Sequence, residues 1–342
     1  MRQDVTATTS LTIPQSAAST AIFVLGISQR SGTNFLYQLI CLHPHCHPRW
    51  VYEDFLVSHS DLLLRYAESK YGSWSADWGF GEDTIDKLVV NLGRGLHSFL
   101  ETRDVENQGS GYLVTKTPTC RNLDNYFRLF PQSPLIILVR DGRSVTESLV
   151  RGFHWSYERA MHNWADESHR IVEFEHQWQD VKDNRYLIVR YEDLYRNTAV
   201  EMTRILLFLD LPVHLYDFNA AAELPIIGSS FANSGDRVDF TPKEKSSDFD
   251  PLRRWSGWSK AMQTRFNWVA GDFLVAFGYQ TELPSFSLRI RIWNHVLDAR
   301  WKAVPIANLL VRWCKKVYHT VRQPSIQQAS ASDSGRKKKA AK

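Results

Sequence analysis

Cysteine is scarce in this 342-residue chain. There are four, Cys41, Cys46, Cys120 and Cys314, and no two stand as CxxC. A disulfide-built scaffold is thereby excluded, and the thiols read as reduced, in a reducing compartment. A run of 18 apolar residues is also missing, so no transmembrane helix is expected. The first 20 residues are rich in Ser, Thr, Ala and Gln. They lack the basic start and apolar core of a signal peptide, and are expected to be disordered. A cytoplasmic location is the expectation. Net charge is low, +4, but unevenly placed. Residues 285–342 hold thirteen Lys and Arg against Asp298 and Asp333, a local charge of +11 that leaves the rest at −7. No nucleic-acid partner is expected for this mildly acidic body with a basic C-terminal segment. The string CLHPHCHP (Cys41–Pro48) is dense in Cys and His. No second ligand cluster matches it, so a helix-ending loop is the preferred reading and no metal is expected.

What is present is a chain 43% hydrophobic, enough for one large core or two small ones. It is organised around AIFVLGISQRSGTNFLYQLI, residues 21–40. Ala21–Leu25 reads as a buried strand, Gly26–Gly32 as a tight loop, and the residues from Thr33 as an amphipathic helix. Strand, glycine-containing loop and helix form a unit whose backbone N–H groups and helix dipole favour an anion. Arg30 adds a cation, and Thr33 and Asn34 add donors. The ATP-binding pattern GxxxxGK[ST] fails here: Ser31 stands for its second Gly, Gly32 for its Lys, and only Thr33 fits. A nucleotide with a shorter 5′ chain is the better match.

Further strands are predicted at Tyr112–Thr115, Leu135–Val139 and Tyr186–Val189. Helices are predicted at Thr84–Arg103, Asn122–Phe130, Gly142–Arg151, Trp155–Asp180, Tyr195–Leu209 and Lys260–Phe277. Residues 48–80 read as an irregular, aromatic cover over a site mouth. The alternation argues for an α/β fold, a parallel sheet with helices on both faces like that of P-loop nucleoside triphosphatases, with ligands beyond the carboxyl ends of the strands. At the end of the third strand stands Arg140, with Ser144 and Ser148 on the helix that follows. An Arg fork and a Ser hydroxyl converging suit a phosphate. The plainer alternative is an Arg paired with Asp141.

RSGTN (Arg30–Asn34) resembles the 5′-phosphosulfate loop of sulfotransferases, which use 3′-phosphoadenosine 5′-phosphosulfate. Arg140 and Ser148, eight residues apart, resemble that family's 3′-phosphate motif. The resemblance covers about residues 21–280, with YEDL (Tyr191–Leu194) and LVAFGY (Leu274–Tyr279) as recurrent features. It implies that Arg30, Ser31, Gly32, Thr33, Asn34, Arg140 and Ser148 bind the nucleotide without metal. Tyr191 would lie near the adenine, or else be a core Tyr at a strand end. The cytosolic family members use a His in a KTH string; here it is KTP, Lys116–Pro118, and proline cannot be a base. The tyrosine-directed and several carbohydrate-directed members place a Glu shortly after the first helix. Glu53, in RWVYEDF, matches, with Asp54 the competing neighbour. Trp50, Tyr52 and Phe55 are expected to give it an apolar setting that raises its pKa. By the same resemblance Lys116 and Arg30 stabilise charge on the phosphosulfate. The signature RKGxxGDW is not present as such; Arg254, in DPLRRWSGW, is the candidate for a basic lid or a 3′-phosphate contact.

The expected domain plan is a disordered 1–20, a sulfotransferase domain at 21–284, a basic amphipathic helical extension at 285–322 and a basic tail at 323–342. The extension's stripe, Ile306, Leu309, Leu310, Trp313, Val317 and Val321, suits peripheral contact with an anionic membrane, or packing on the core or a partner. The acceptor could be a small molecule, carbohydrate, lipid or peptide. The rival functions are a P-loop small-molecule kinase and a non-catalytic membrane-associated nucleotide-binding module.

Overall fold

Residues Ile22 and Val24 point to one side of a strand and Phe23 and Leu25 to the other, and all four are fully buried. A strand buried on both faces must sit in the middle of a sheet covered twice. The computed structural model shows this arrangement. It describes residues 21–48, 53–78, 81, 83–101, 111–179, 185–225, 230–231, 238–239, 251–280 and 282–303. The chain divides into two units, Met1–Leu283 and Pro284–Lys342.

In the first unit, β1 (Ala21–Gly26), β2 (Cys46–Pro48), β3 (Tyr112–Thr117), β4 (Leu135–Val139) and β5 (Tyr186–Arg190) form one parallel sheet in the order β2-β3-β1-β4-β5. One apolar layer joins Phe23, Leu25, Ile137 and Val139 to α3 (Thr84–Glu101), α4 (Tyr126–Leu129), α5 (Gly142–Phe153), α6 (Tyr157–Trp178) and α10 (Lys260–Ala276). The opposite layer joins Ile22, Val24, Ile136 and Leu138 to α1 (Thr33–Ile40) and α8 (Thr198–Phe208). Each buried aliphatic side chain contributes about 1.5–3 kcal/mol, so the alternating strand residues fix which face every helix covers. Because β1 lies between β3 and β4, the chain leaves it in both directions, and a crevice opens at the carboxyl ends there.

The predicted α/β sheet is therefore observed, with five strands rather than four. Cys46–Pro48, expected within a loop, pairs with Tyr112–Val114 as an edge strand too short for a periodic signal. Residues 48–80 are not wholly irregular: α2 (Ser60–Tyr71) lies within them and buries Leu64 and Ala67. Its narrow stripe is masked in the sequence by the aromatic residues around it. The expected helix Tyr195–Leu209 is two, α7 (Tyr191–Arg196) and α8, because Asn197 leaves helical geometry at φ −130° and ψ 51°. The YEDL string thus opens a helix directly at the end of β5. A short helix, α9 (Phe218–Glu223), capped by Asp217, follows.

The second unit is described as far as a helix over residues 288–303. No helix among the described residues is long and apolar enough to cross a membrane. The expectations placed on residues 1–20, on Trp50 and Tyr52, and on the stripe from Ile306 to Val321 lie outside the described residues.

Candidate active site

The loop after β1 turns through two left-handed residues, Arg30 at φ 72° and Gly32 at φ 101°. Only glycine is comfortable there, and Gly32 has a second reason to be glycine. A Cβ on it would collide with the ring of Tyr191. Gly26 is constrained likewise, since its Cβ would strike the side chains of Ser31 and Thr33. The loop is wound tightly, and its start of α1 is formed by the carbonyl of Gly32, which accepts from the N–H groups of Phe35 and Leu36. Gly32→Ala is expected to destabilise the fold by about 2–4 kcal/mol, from strained backbone and overpacking together. Urea unfolding, read as the midpoint shift, checks this.

The strained Arg30 is where the site converges. Its Nε donates to Ser148 Oγ at 2.9 Å, and its carbonyl accepts from Arg140 Nη1 at 2.7 Å. Arg140, only 2% exposed, stacks its guanidinium 4.2 Å from the Tyr191 ring centre and donates its other terminal nitrogen to the carbonyl of Pro251. The Arg140 and Ser148 of the sequence motif are thus brought to the first loop. Ser144 turns away to donate to the Leu252 carbonyl. Tyr191, fully buried, forms the floor beneath Gly32 and Arg140.

Three guanidinium groups crowd this point. Burial, then Arg140, pulls the pKa of Arg30 down to about 10. Burial, then Arg140 and Arg30, pulls that of Arg254 down to about 9. Like charges held this close disfavour one another's ionisation, so an anion placed among them is strongly favoured. Ser31 Oγ and Asn34 Oδ1 beside them are buried without a hydrogen-bond partner among the described residues, as is Arg140 Nε. Buried polar atoms of this kind ordinarily mark a ligand or water.

Arg254 lies on a strap, residues 251–258, fastened along α5. Arg140 and Ser144 hold Pro251 and Leu252; the Arg143 guanidinium lies 4.0 Å from the Trp255 ring centre; Trp258 Nε1 donates to Glu147 Oε2 at 2.8 Å. Tyr157 donates to the same carboxylate oxygen, also at 2.8 Å. The sequence reading reached Arg254 but missed Glu147, which nothing in its neighbourhood distinguishes from a surface acid. Glu147→Ala leaves the buried Trp258 N–H unpaired, at about 1–3 kcal/mol, and the half-buried Tyr157 hydroxyl without its partner. The expected result is a several-fold rise in tryptic cleavage after Arg253 or Arg254 in the folded protein.

Glu192 was missed too. It accepts from the Asp141 N–H at 3.0 Å and from Tyr279 Oη at 2.9 Å, tying the loop after β4 to the start of α7 and the end of α10. YEDL and FGY, distant in sequence, are the two ends of this one link.

On the other side of β1, Lys116 is buried at the end of β3, with Nζ 3.3 Å from Glu53 Oε1. Burial lowers the pKa of Lys116, and Glu53 opposes that shift. Asp54, by contrast, accepts from Thr115 Oγ1 at 2.6 Å and from the Leu56 N–H at 2.7 Å. Both its oxygens serve the loop. In the Cys/His string, the ring nitrogens of His43 face the His45 N–H at 3.1 Å and the Pro212 carbonyl at 3.2 Å, and Cys46 lies buried in β2.

A parallel sheet with a glycine loop at its switch point and a buried arginine cluster beyond it defines an α/β protein with an anion-complementary site at its strand ends. The sequence model of the sulfotransferase family matches residues 21–215, and the chain belongs to that family. It is 29% identical over 252 residues to a protein-tyrosine sulfotransferase of Drosophila melanogaster, covering 69% of this chain and 47% of the fly protein. This chain therefore spans about half the length of that relative. A putative protein-tyrosine sulfotransferase of Caenorhabditis briggsae is 26% identical over 288 residues, covering 78% of this chain and 92% of its own length. Among solved structures, the sulfotransferase domain from the curacin biosynthetic pathway is 20% identical with a TM-score of 0.46, covering 78% of this chain and 99% of that domain. A mouse sulfotransferase complexed with PAP is 11% identical with a TM-score of 0.40, covering 75% of this chain and 84% of its own.

Proposed function

We propose that the protein is a sulfotransferase that uses 3′-phosphoadenosine 5′-phosphosulfate and modifies a hydroxyl of a peptide or protein, tyrosine foremost. The observation that carries this reading is the cluster of Arg30, Arg140 and Arg254 around the glycine loop. A nucleotide with phosphates at both 3′ and 5′ positions matches two cation groups reached from two strand ends. Gly32, which occupies the place of the lysine in the ATP-binding loop, leaves no side chain to reach a third phosphate. The family membership supports this sulfuryl donor, and the likeness to the fly and worm protein-tyrosine sulfotransferases supports the acceptor class.

Each residue then has a task. Ser31, Thr33, Asn34 and the loop N–H groups hold the 5′-phosphate, and Arg140 and Ser148 hold the 3′-phosphate, with Arg254 covering them from the strap. The donor contributes an activated sulfuryl group on a phosphate leaving group. Glu53 takes the acceptor proton. Lys116 and Arg30 offset the negative charge that builds up on the departing oxygen, the kind of preorganised electrostatic help that lowers a barrier most. Both cations are fixed before substrate arrives, Lys116 by burial and Arg30 by its bond to Ser148.

Calorimetric titration of the metal-free protein with 3′-phosphoadenosine 5′-phosphate, ADP and ATP tests the donor site. Micromolar binding of the bisphosphate is expected, well ahead of the other two. At 100 times its dissociation constant it adds about 2.7 kcal/mol of stability, which a melting curve reads independently. Preference for ATP, or binding only with Mg²⁺, overturns the reading in favour of a kinase.

A further inference from the structure

Glu53 and Asp54 are neighbours, yet they face opposite ways. On β3, Thr115 and Thr117 project to one side of the sheet and Lys116 to the other. Residues 53–55 run beside that strand end, with the Asp54 N–H directed at the Lys116 carbonyl at 3.4 Å. Glu53 takes the Lys116 side. Asp54 takes the threonine side, where Thr115 Oγ1 donates to it. One residue on, the Phe55 N–H donates to Thr117 Oγ1 at 3.0 Å, and Phe55 itself sits in the left-handed region at φ 52°. Asp54 Oδ1 accepts from the Leu56 N–H, closing an Asx turn around that strained residue. The Ser58 hydroxyl then donates to the Phe55 carbonyl at 2.8 Å.

Two side-chain ties hold this loop to β3 on the side away from Lys116, Thr115 Oγ1 to Asp54 and the Phe55 N–H to Thr117 Oγ1. The bond from the Leu56 N–H to Asp54 closes the loop on itself. Glu53 meets the sheet at Lys116 Nζ, at 3.3 Å. Its position is set by its neighbours.

We infer that Asp54 is a positioning residue for the transfer reaction: bonded to Thr115 and Leu56, it holds the loop so that the Glu53 carboxylate stands at Lys116 Nζ. This inference rests on the sulfotransferase reading for its chemistry. It also decides between the two acids of RWVYEDF, since a carboxylate with both oxygens engaged by its own loop and strand is not the proton acceptor. Position 54 calls for one short polar side chain that bonds the Leu56 N–H and the Thr115 hydroxyl at once. A misplacement of about 1 Å at Glu53 can cost 10²-fold in rate.

The test uses the full chain, wild type and Asp54→Ala, Asp54→Asn and Thr115→Val. Transfer from 3′-phosphoadenosine 5′-phosphosulfate to a synthetic tyrosyl peptide gives kcat and KM, and calorimetry gives affinity for 3′-phosphoadenosine 5′-phosphate. Asp54→Ala and Thr115→Val are expected to lower kcat roughly 10- to 100-fold with bisphosphate affinity unchanged. Asp54→Asn recovers most of the rate, because its amide still accepts from Leu56 and bonds the Thr115 hydroxyl. Added to Glu53→Ala, Asp54→Ala costs nothing further, as expected of residues acting through one another. Undiminished kcat in Asp54→Ala and Thr115→Val, or an equal loss of bisphosphate affinity, overturns the inference. An Asp54→Asn variant as inactive as Asp54→Ala does so too, by making the charge itself the reacting group. A readout independent of turnover is the titration of the Lys116 ammonium by NMR. Thr115→Val keeps both carboxylates, so a fall in the Lys116 pKa reports that Glu53 has moved away, and an unchanged value overturns the inference. If the wild type transfers nothing to the peptide, the acceptor reading fails, while the lysine titration still decides the role of Asp54.

Discussion

Arg140→Ala is expected to weaken binding of 3′-phosphoadenosine 5′-phosphate by roughly 100- to 1,000-fold. Removing one member of a buried, hydrogen-bonded charge pair typically costs 2–5 kcal/mol, and Arg140 is buried at the meeting point of three segments. It donates to the carbonyls of Arg30 and Pro251 and lies over Tyr191. The substitution removes the proposed phosphate ligand and also loosens the first loop and the strap. Arg140→Lys separates these effects. It keeps a charge but loses the planar fork, and is expected to lose about 10-fold while melting below the wild type. Calorimetry and melting curves on the two variants check both statements. An Arg140→Ala protein that binds the bisphosphate as tightly as wild type would remove the arginine cluster from the donor site.

Glu53→Gln is expected to lower kcat by about 10²- to 10⁴-fold, the range general-base catalysis ordinarily contributes. Affinity for the bisphosphate should stay unchanged, because Glu53 and the arginine cluster lie on opposite sides of β1. Glutamine keeps the size and the hydrogen-bond capacity of the side chain, so the loss reports proton transfer rather than shape. The variant has a second, signed consequence. Glu53 holds the Lys116 pKa up against burial, so Lys116 must titrate lower in Glu53→Gln than in wild type. Steady-state kinetics and lysine NMR measure the two effects separately. A variant with full turnover would assign the base elsewhere.

Much of this architecture was legible before any coordinates. Residues 21–40 carry a strand, a loop and a helix in three successive patterns, and a buried parallel strand such as Leu135–Val139 has no polar face to confuse it. The meeting of Arg30, Arg140 and Ser148 was legible because Arg140 follows the end of β4 while Arg30 and Ser148 lie in the loop and helix that leave neighbouring strand ends, and in this class of sheet strand ends converge. The short edge strand Cys46–Pro48 and helix Ser60–Tyr71 were not. Three residues carry no period, and the helix's two buried apolar side chains, Leu64 and Ala67, are outnumbered by aromatic residues nearby.

The sequence by itself determined four of the five strands of the sheet, the order of its loops and the chemical types available at their tips, because burial on two faces dictates strand composition and strand ends dictate where ligands go. Only the tertiary structure decided which side chains meet. It set Glu53 against Lys116 and Asp54 against Thr115, although the two acids are adjacent and chemically alike. It joined Glu192 to Tyr279 and Glu147 to Trp258 across 87 and 111 residues. Such pairings depend on the register of segments remote in sequence, and a local pattern holds no record of register.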